Sequence, residues 1–249
     1  MVKIKSKGEI DKIQKAGSIL SRVLKLLKEA VKPGIKTLEL DSLAERAILT
    51  AGGLPAFKGY RGFPASLCVS VNDEVVHGIP GNRVLKEGDI VSLDLGVVVD
   101  GYYADAAITV PVGRVSPLAQ KLLFVCREAL MAGIRNAFPR KHLNDISSAI
   151  QNEAERHGFS VVRDFVGHGI GRALHEEPQV PNFSIPENGL ILEEGMTLAI
   201  EPMVNTGTYQ VKVRPDGWTV ITQDGGLSAH FEHTVAITSS GPKILTEFK

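Results

Sequence analysis

A chain of 249 residues is long enough to bury a substantial core. Its 28 basic and 28 acidic residues cancel, which argues against nucleic acid or an anionic membrane surface as the main partner. Cys68 and Cys126 are too few and too far apart for a disulfide framework or a zinc–thiolate site, no run approaches the ~18 apolar residues of a membrane span, and MVKIKSKGEIDKI lacks a signal-peptide apolar run. A soluble protein of the cytoplasm is expected.

Ile10, Ile13, Ile19, Leu20, Val23, Leu27 and Val31 recur at three- and four-residue steps. This predicts an amphipathic helix from Gly8 to Val31, stopped by Pro33-Gly34. Thr37, as N-cap, opens a second helix that reaches Ala51 and stops at Gly52-Gly53. Strand-like runs follow: SLCVSV, DIVSLDLGVVV and YYADAAITVPV, the last two joined by Asp100-Gly101, a two-residue hairpin signal. Ser116 to Phe138 predicts a third helix, ended by Pro139, and Leu143 to His157 a fourth, ended by Gly158. Pro33 and Pro139 lie 106 residues apart, as do Gly52 and Gly158, so one plan occurs twice. The remainder is strand-rich: FSVVRDF, MTLAIEPMV, GWTVITQ and HFEHTVAIT. With no low-complexity linker, the expectation is a single α+β domain over residues 1–249, with pseudo-symmetric halves of about 8–112 and 114–249 and helices outside a curved antiparallel sheet.

Asp94 and Asp105 fall inside apolar strand runs, where an unpaired carboxylate is costly. With Asp100-Gly101 as the turn, Val99 pairs with Tyr102 and Asp94 with Ala107, so Asp105 is a diagonal neighbour on the face of Asp94. A single bulge would separate them. The hairpin alone does not choose between two solvent-facing aspartates and a metal pair. Glu201 in LAIEPMV and Glu232 in HFEHTVAI are further acids in apolar runs, and alternation puts Glu232, Thr234 and Ala236 on one face, Phe231, His233, Val235 and Ile237 on the other. Four carboxylates with the neutral imidazole of His168 would balance two divalent cations, whereas without metal they would repel and take up protons. The oxygen-rich, sulfur-free set suits manganese, iron(II), cobalt or zinc.

The stretch VGHGIGRALHEEP carries two histidines, His168 and His175. Glycines at 167, 169 and 171 do not match the dinucleotide fingerprint, no GxxxxGK[ST] loop is present, and HEEPQ lacks the second histidine of a zinc-protease helix. The use left for these glycines is close backbone approach or unusual φ beside a site, and taken alone they read as a plain turn.

Five motifs in order resemble the bacterial-type, type I methionine aminopeptidases of peptidase family M24. They are SVNDEVVHGIP (70–80), VSLDLGVVVDGYYADAAIT (91–109), GHGIGRALHEEP (167–178), IEPMV (200–204) and DGWTVITQDGGLSAHFEHT (216–234). The resemblance covers nearly the whole chain, from about Lys12 onward. It implies the pita-bread fold, with two divalent metal ions (cobalt, manganese, iron(II) or zinc) held by Asp94, Asp105, His168, Glu201 and Glu232. It implies a methionine pocket of Tyr60, Phe63, Cys68, His77 and Trp218, and in some members a monovalent cation near Asn72, Glu74 and Ser228. Leu174 and Phe63 stand where phenylalanine and tyrosine are frequent, which predicts an altered pocket shape. His230 stands in place of a usual glutamine and either adds a polar contact near the second metal or points outward, the outward direction being the one expected, while His233 is expected to be structural.

The activity implied is removal of the initiator methionine of nascent chains, preferring a small second residue, by metal-activated water attacking the first peptide bond. One metal would bind the substrate's free α-amine. Glu201 would carry a proton as well as bind metal, His175 would stabilise the tetrahedral oxygen, and His77 would contact the scissile amide, both histidines lying outside the metal shell. Glu176 and Glu177 are placed outside it too. The partner expected is the N-terminal methionine of nascent peptides, with room for a transient ribosome contact through the N-terminal lysines; no membrane or specific nucleic acid is expected, and a monomer is. Two rivals are a proline-specific peptidase of the same fold, against which the short stretch before the first helix speaks, and a metal-free binding protein on the same scaffold, which would be expected to lack ligands. A type II enzyme would need an inserted subdomain, for which the 31 residues from Glu201 to Glu232 leave no room.

Overall fold

The computed structural model describes residues 2–247. Helix α1 (Lys7–Ala30) is capped by Ser6 and Glu9 in a reciprocal capping box and buries Ile13, Leu20, Leu24 and Leu27. Helix α2 (Thr37–Thr50) begins one residue earlier than a Thr37 cap allows, with Lys36 at the cap position and its N–H donating to Glu39 at 2.8 Å. Thr37 is instead the first helical residue, and its hydroxyl is bonded to the backbone of Gly81, which ties the helix to a distant loop. Helix α3 (Pro117–Ile134) starts on a Ser116 cap and ends short of Phe138, where Asn136 takes the Ala132 carbonyl with its side chain. Helix α4 (Leu143–Glu155) follows.

The strands of the first part are β1 (Leu54–Pro55), β2 (Leu67–Val71), β3 (Glu74–Val76), β4 (Ile90–Val99) and β5 (Tyr102–Pro111). Those of the second are β6 (Ser160–Val161), β7 (Gly167–Gly169), β8 (Glu176–Val180), β9 (Thr197–Ile200), β10 (Met203–Asn205), β11 (Val211–Val213), β12 (Val220–Thr222), β13 (Ser228–His230), β14 (His233–Thr238) and β15 (Gly241–Ile244). β1 and β2 share one edge of the long β4 and β5 takes the other. A five-stranded sheet has the order β15-β14-β9-β7-β8, and two three-stranded sheets, β13-β10-β6 and β11-β12-β3, complete the fold. Every pairing is antiparallel.

The turn chemistry recurs along the chain. Gly52 and Gly158 both close a helix with φ +82°, and the residues after Pro33 and Pro139, Gly34 and Arg140, both take positive φ. LKEGDIVSLDLG (85–96) and LEEGMTLAIEPM (192–203) run in parallel, which puts Asp94 and Glu201 at matching points.

Strand alternation sorts the faces. On β4 and β5, Leu93, Leu95, Ala104, Ala106 and Ile108 pack under α1 and α2 with Leu20, Leu24 and Ile48. Leu122, Val125, Ile146 and Ile150 of α3 and α4 cover Leu198 and Val235 in the same way. Each fully buried Leu, Ile or Val contributes about 1.5–3 kcal/mol. Ser92, Asp94, Asp105 and Thr109, out of phase with those residues, are turned to the opposite face. A third apolar group lines that face, including Phe57, Phe63, Cys68, Ile170 and Leu174. Gly96 is required there because a Cβ would lie 2.6 Å from the Phe57 ring.

Candidate metal centre and its pocket

The β4–β5 register sets the first two acids. Asp100 and Gly101 turn with φ +51° and +77°, Val99 pairs with Tyr102, Asp94 pairs with Ala107, and Asp105 pairs with Gly96. The register runs without a bulge from Ile90↔Pro111 to Val99↔Tyr102, so Asp94 and Asp105 share a face.

Backbone lacing brings in the other acids. Thr234 accepts from the Asp105 N–H and donates to its carbonyl, at 2.9 and 2.8 Å. The Glu232 N–H donates to the Ala107 carbonyl at 2.9 Å. Glu201 and Glu232 do not lie inside strands as the apolar runs suggested. Glu201 sits between β9 and β10, where Pro202 removes a ladder donor, and Glu232 sits between β13 and β14. In both breaks the backbone leaves one sheet for another, and the acid occupies the crossing point.

His168 lies on β7, flanked by β8 and β9. Its Nδ1–H donates to the Gly169 carbonyl at 2.9 Å, which leaves Nε2 as the free nitrogen, 3.4 Å from Glu201 Oε1. The reading of Gly167 and Gly169 as a plain turn is corrected: they form a strand with neighbours on both sides. A Cβ at 167 would collide with the Ala199 carbonyl oxygen, and one at 169 with that of Glu177. This is close approach rather than unusual φ.

Donor atoms of Asp105, His168 and Glu232 all lie within 4.8 Å of one another, and all three residues are buried. Asp94 Oδ1, Asp105 Oδ1 and Glu232 Oε1 are buried without a hydrogen-bond partner among the described residues. Burial pushes the Asp94 carboxyl up to about 7. Burial, then the charges of Asp94 and Glu201, raise Asp105; burial, then Asp94, raises Glu201. Burial followed by the three other acids raises Glu232. Burial, then His175, lowers His168 to about 3, so its imidazole is neutral. Clustered acids with orphaned oxygens beside a neutral nitrogen fit divalent cations, which would supply the missing counter-charge.

The cage opens into a cavity of about 190 Å³ that is also lined by Tyr60, Phe63, Cys68, His77, His175 and Trp218. His77 is held at φ +60°, a conformation uncommon outside glycine, and its ring meets Phe165 and Trp218 edge-on. Phe63 and Trp218 meet in a T, with centroids 5.1 Å apart. His175 is bonded through Nδ1 to the Tyr60 hydroxyl at 2.8 Å, and its ring centroid lies 4.2 Å from that of His168. Burial, then Arg61, lowers His175 to about 4; burial, then His175, lowers His77 to about 4. Burial, then the nearby acids, raises the Cys68 thiol, so it stays protonated and apolar. Leu174 is part of the same lining.

Glu176 Oε2 receives Lys5 Nζ at 2.6 Å, and its Oε1 receives the N–H groups of Arg172 and Ala173, so the glutamate beside His175 belongs to the loop and not to the cage. Glu177 is exposed. Glu74 accepts from Val71 N and from Arg83 and Arg214, and both side-chain ends of Asn72 are engaged, by Asp89 and by Ile90 N. Of the three residues suggested for a monovalent cation, Ser228 alone has a buried side-chain oxygen without a partner. His233 bonds Thr246 through Nδ1, a structural contact.

One expectation is overturned. His230 does not point outward: it is 1% exposed, and its Nε2 lies 3.7 Å from Glu201 Oε2. His230 is the last residue of β13, whose three residues are all buried, and it turns inward where the chain reaches the crossing point at Glu232. Arg61, Phe165 and Met203 also line the cavity and were not singled out from the sequence, since neither motif nor periodicity marks them.

Residues 11–239 match the model of metallopeptidase family M24. The methionine aminopeptidase of Clostridium perfringens is 56% identical over 249 residues, all of both chains. Methionine aminopeptidase 1 of Bacillus subtilis is 52% identical over 246 residues, 99% of each. The crystal structure of methionine aminopeptidase from Thermotoga maritima superposes with a TM-score of 0.97 at 47% identity, over 99% of this chain and all of that one. The chain belongs to the methionine aminopeptidases of metallopeptidase family M24.

Proposed function

We propose that this protein removes the N-terminal methionine from proteins and peptides with a small second residue, with two divalent ions held by Asp94, Asp105, His168, Glu201 and Glu232. The observation that carries this reading is the buried Asp105–His168–Glu232 cluster with its orphaned oxygens, opening directly into an apolar cavity. Bound there, divalent cations supply Lewis acidity and make water acidic enough to serve as nucleophile near neutral pH. Everything else falls to the chain. Phe63, Trp218, Tyr60 and the protonated Cys68 offer the unbranched thioether an apolar, polarisable wall. His175, neutral and steadied by Tyr60, donates to the oxygen that becomes negative at the tetrahedral stage. His77, held by its backbone and by Phe165, contacts the scissile amide. Glu201 takes a proton from the attacking water and returns it to the leaving amine.

The deciding experiment removes metal from the protein and restores cobalt, manganese, iron(II) or zinc in turn, with Met-Ala, Met-Leu and Xaa-Pro peptides as substrates. Methionine release from the Met-Ala peptide, only with metal, is expected. Metal-independent release, or cleavage of Xaa-Pro peptides alone, would overturn the reading.

A further inference from the structure

His230 is the anomaly of the site. It is a fully buried imidazole, and neither ring nitrogen has a hydrogen-bond partner among the described residues. A buried polar group left unsatisfied costs about 1–3 kcal/mol. Its surroundings offer few polar atoms. The hydroxyl of Thr109 is spent on the backbone of residue 230, accepting its N–H and donating to its carbonyl, both at 2.8 Å. The residue across the ladder is Met203. The carboxylate of Glu201 remains, with Oε2 3.7 Å from His230 Nε2. That is just beyond hydrogen-bond length.

Glu201 therefore lies between two imidazoles. Oε1 faces His168 Nε2 at 3.4 Å, and Oε2 faces His230. An imidazole ring carries an N–H donor, and the Glu201 carboxylate facing it offers an acceptor oxygen. The two Thr109 bonds fix the backbone from which the ring projects, so the donor has a rigid mount.

We propose that His230 is a positioning residue for Glu201: its Nε2–H holds Oε2 and thereby aims Oε1 at the side of the cage occupied by His168. The proposal rests on the reading of Glu201 as ligand and proton carrier given above. It assigns His230 to the layer behind the ligands, where a partner fixes the orientation and basicity of a ligating carboxylate. The competing role, a further nitrogen ligand, makes a different prediction.

The test uses the full-length cobalt(II)-loaded protein with His230→Leu, which keeps the volume and removes the donor, and His230→Gln, which keeps an amide donor. His230→Leu is expected to retain the wild-type cobalt content and to shift the visible absorption band. Its kcat on a Met-Ala peptide should fall roughly 10-fold or more, with KM changed by less than about twofold. His230→Gln is expected to restore most of kcat and the wild-type band. A leucine variant with wild-type kcat and spectrum would overturn the proposal. So would loss of one cobalt per chain in both variants, which would make His230 a ligand. Should the leucine variant fail to fold, His230→Met replaces it in the comparison with His230→Gln. Failure of the underlying reading shows separately, as wild-type protein without metal-dependent methionine release.

Discussion

Glu176 and Glu232 are glutamates with almost fully buried side chains, 2% exposed in each case, and they are treated in opposite ways. Glu176 has a buried lysine, Lys5, at 2.6 Å and two backbone donors. Burial pushes its carboxyl up, but Lys5 and the N–H groups together outweigh that and hold it below the usual range. Glu232 Oε1 has no donor, and its neighbours are acids that raise it further. The protein supplies the counter-charge at 176 from its own N-terminal segment and omits it at 232. The first acid is thereby a fastener for the loop that carries His175, and the second is a place kept for a cation from outside.

The largest expected effect comes from removing the unpaired acid. Glu232→Gln should lose metal by elemental analysis and lose roughly 10³-fold in methionine release, the scale of several kcal/mol of metal-supplied stabilisation. The same change should raise the melting temperature of the metal-free protein, because an unpartnered buried acid is gone. A variant with full metal and a lower melting temperature would place Glu232 with Glu176. His168→Ala should likewise lose metal.

Lys5→Met is the mirror experiment. Breaking a buried pair by removing one partner should cost about 3 kcal/mol of folding stability by chemical denaturation, while the metal content stays at the wild-type value. Glu176 keeps two N–H donors, which places the cost at the lower end. Loss of metal with unchanged stability would reverse the assignment.

The two glutamates were not equally legible. Glu232 stood out as an acid in an apolar run, and the charge sum of four carboxylates and one imidazole pointed to metal before any geometry. The Asp94–Asp105 relation could be read on the condition of an unbulged hairpin, since a two-residue turn at Asp100-Gly101 sets the register and the ladder continues without a shift. Lys5 could not be found: its partner lies 171 residues away, and no local pattern marks a lysine ahead of a helix as buried. The strand made by Gly167–Gly169 was hidden for the same reason, because its close neighbours, Ala199 and Glu177, are set by sheet order. The strand breaks at Glu201 and Glu232 depend on chain crossings between sheets, which periodicity does not encode. His230, expected to point outward, turns inward at the Glu232 crossing, so its direction was not legible from periodicity either.

A smaller effect is expected at the loop that Glu176 fastens. His175→Ala should lower kcat roughly 10²-fold, the size of one oxyanion donor, with metal content unchanged. His175 touches Tyr60 and packs tilted against His168 but contributes no atom to the Asp105–His168–Glu232 cluster. Metal loss on elemental analysis would remove it from the substrate side.

The smallest effect is a slope in pH. Asp94, Asp105, Glu201 and Glu232 all have carboxyls raised in the folded, metal-free protein, Asp94 to about 7 and the others well above their ordinary values. The folded state then holds protons that the unfolded chain, with carboxyls near 4, has released. Stability from this source is present below about pH 4 and is lost as pH rises toward the folded values. His77, His168, His175, His230 and His233 act with the opposite sign, since their folded values lie near 3 to 4, below the unfolded value of about 6.5. Their contribution is complete above about pH 6.5, so between about pH 6.5 and 8 the acids act alone. Because the four share protons, the net excess is on the order of one, or about 1.4 kcal/mol per pH unit. Denaturation of chelator-treated protein should show stability falling across that window, and the metal-loaded protein should not follow it, because bound cations keep the carboxylates ionised on both sides. Glu232→Gln should flatten the slope of the metal-free protein and Lys5→Met should leave it alone. A slope equal in loaded and metal-free protein would show that the unpaired acids are not what the cations neutralise.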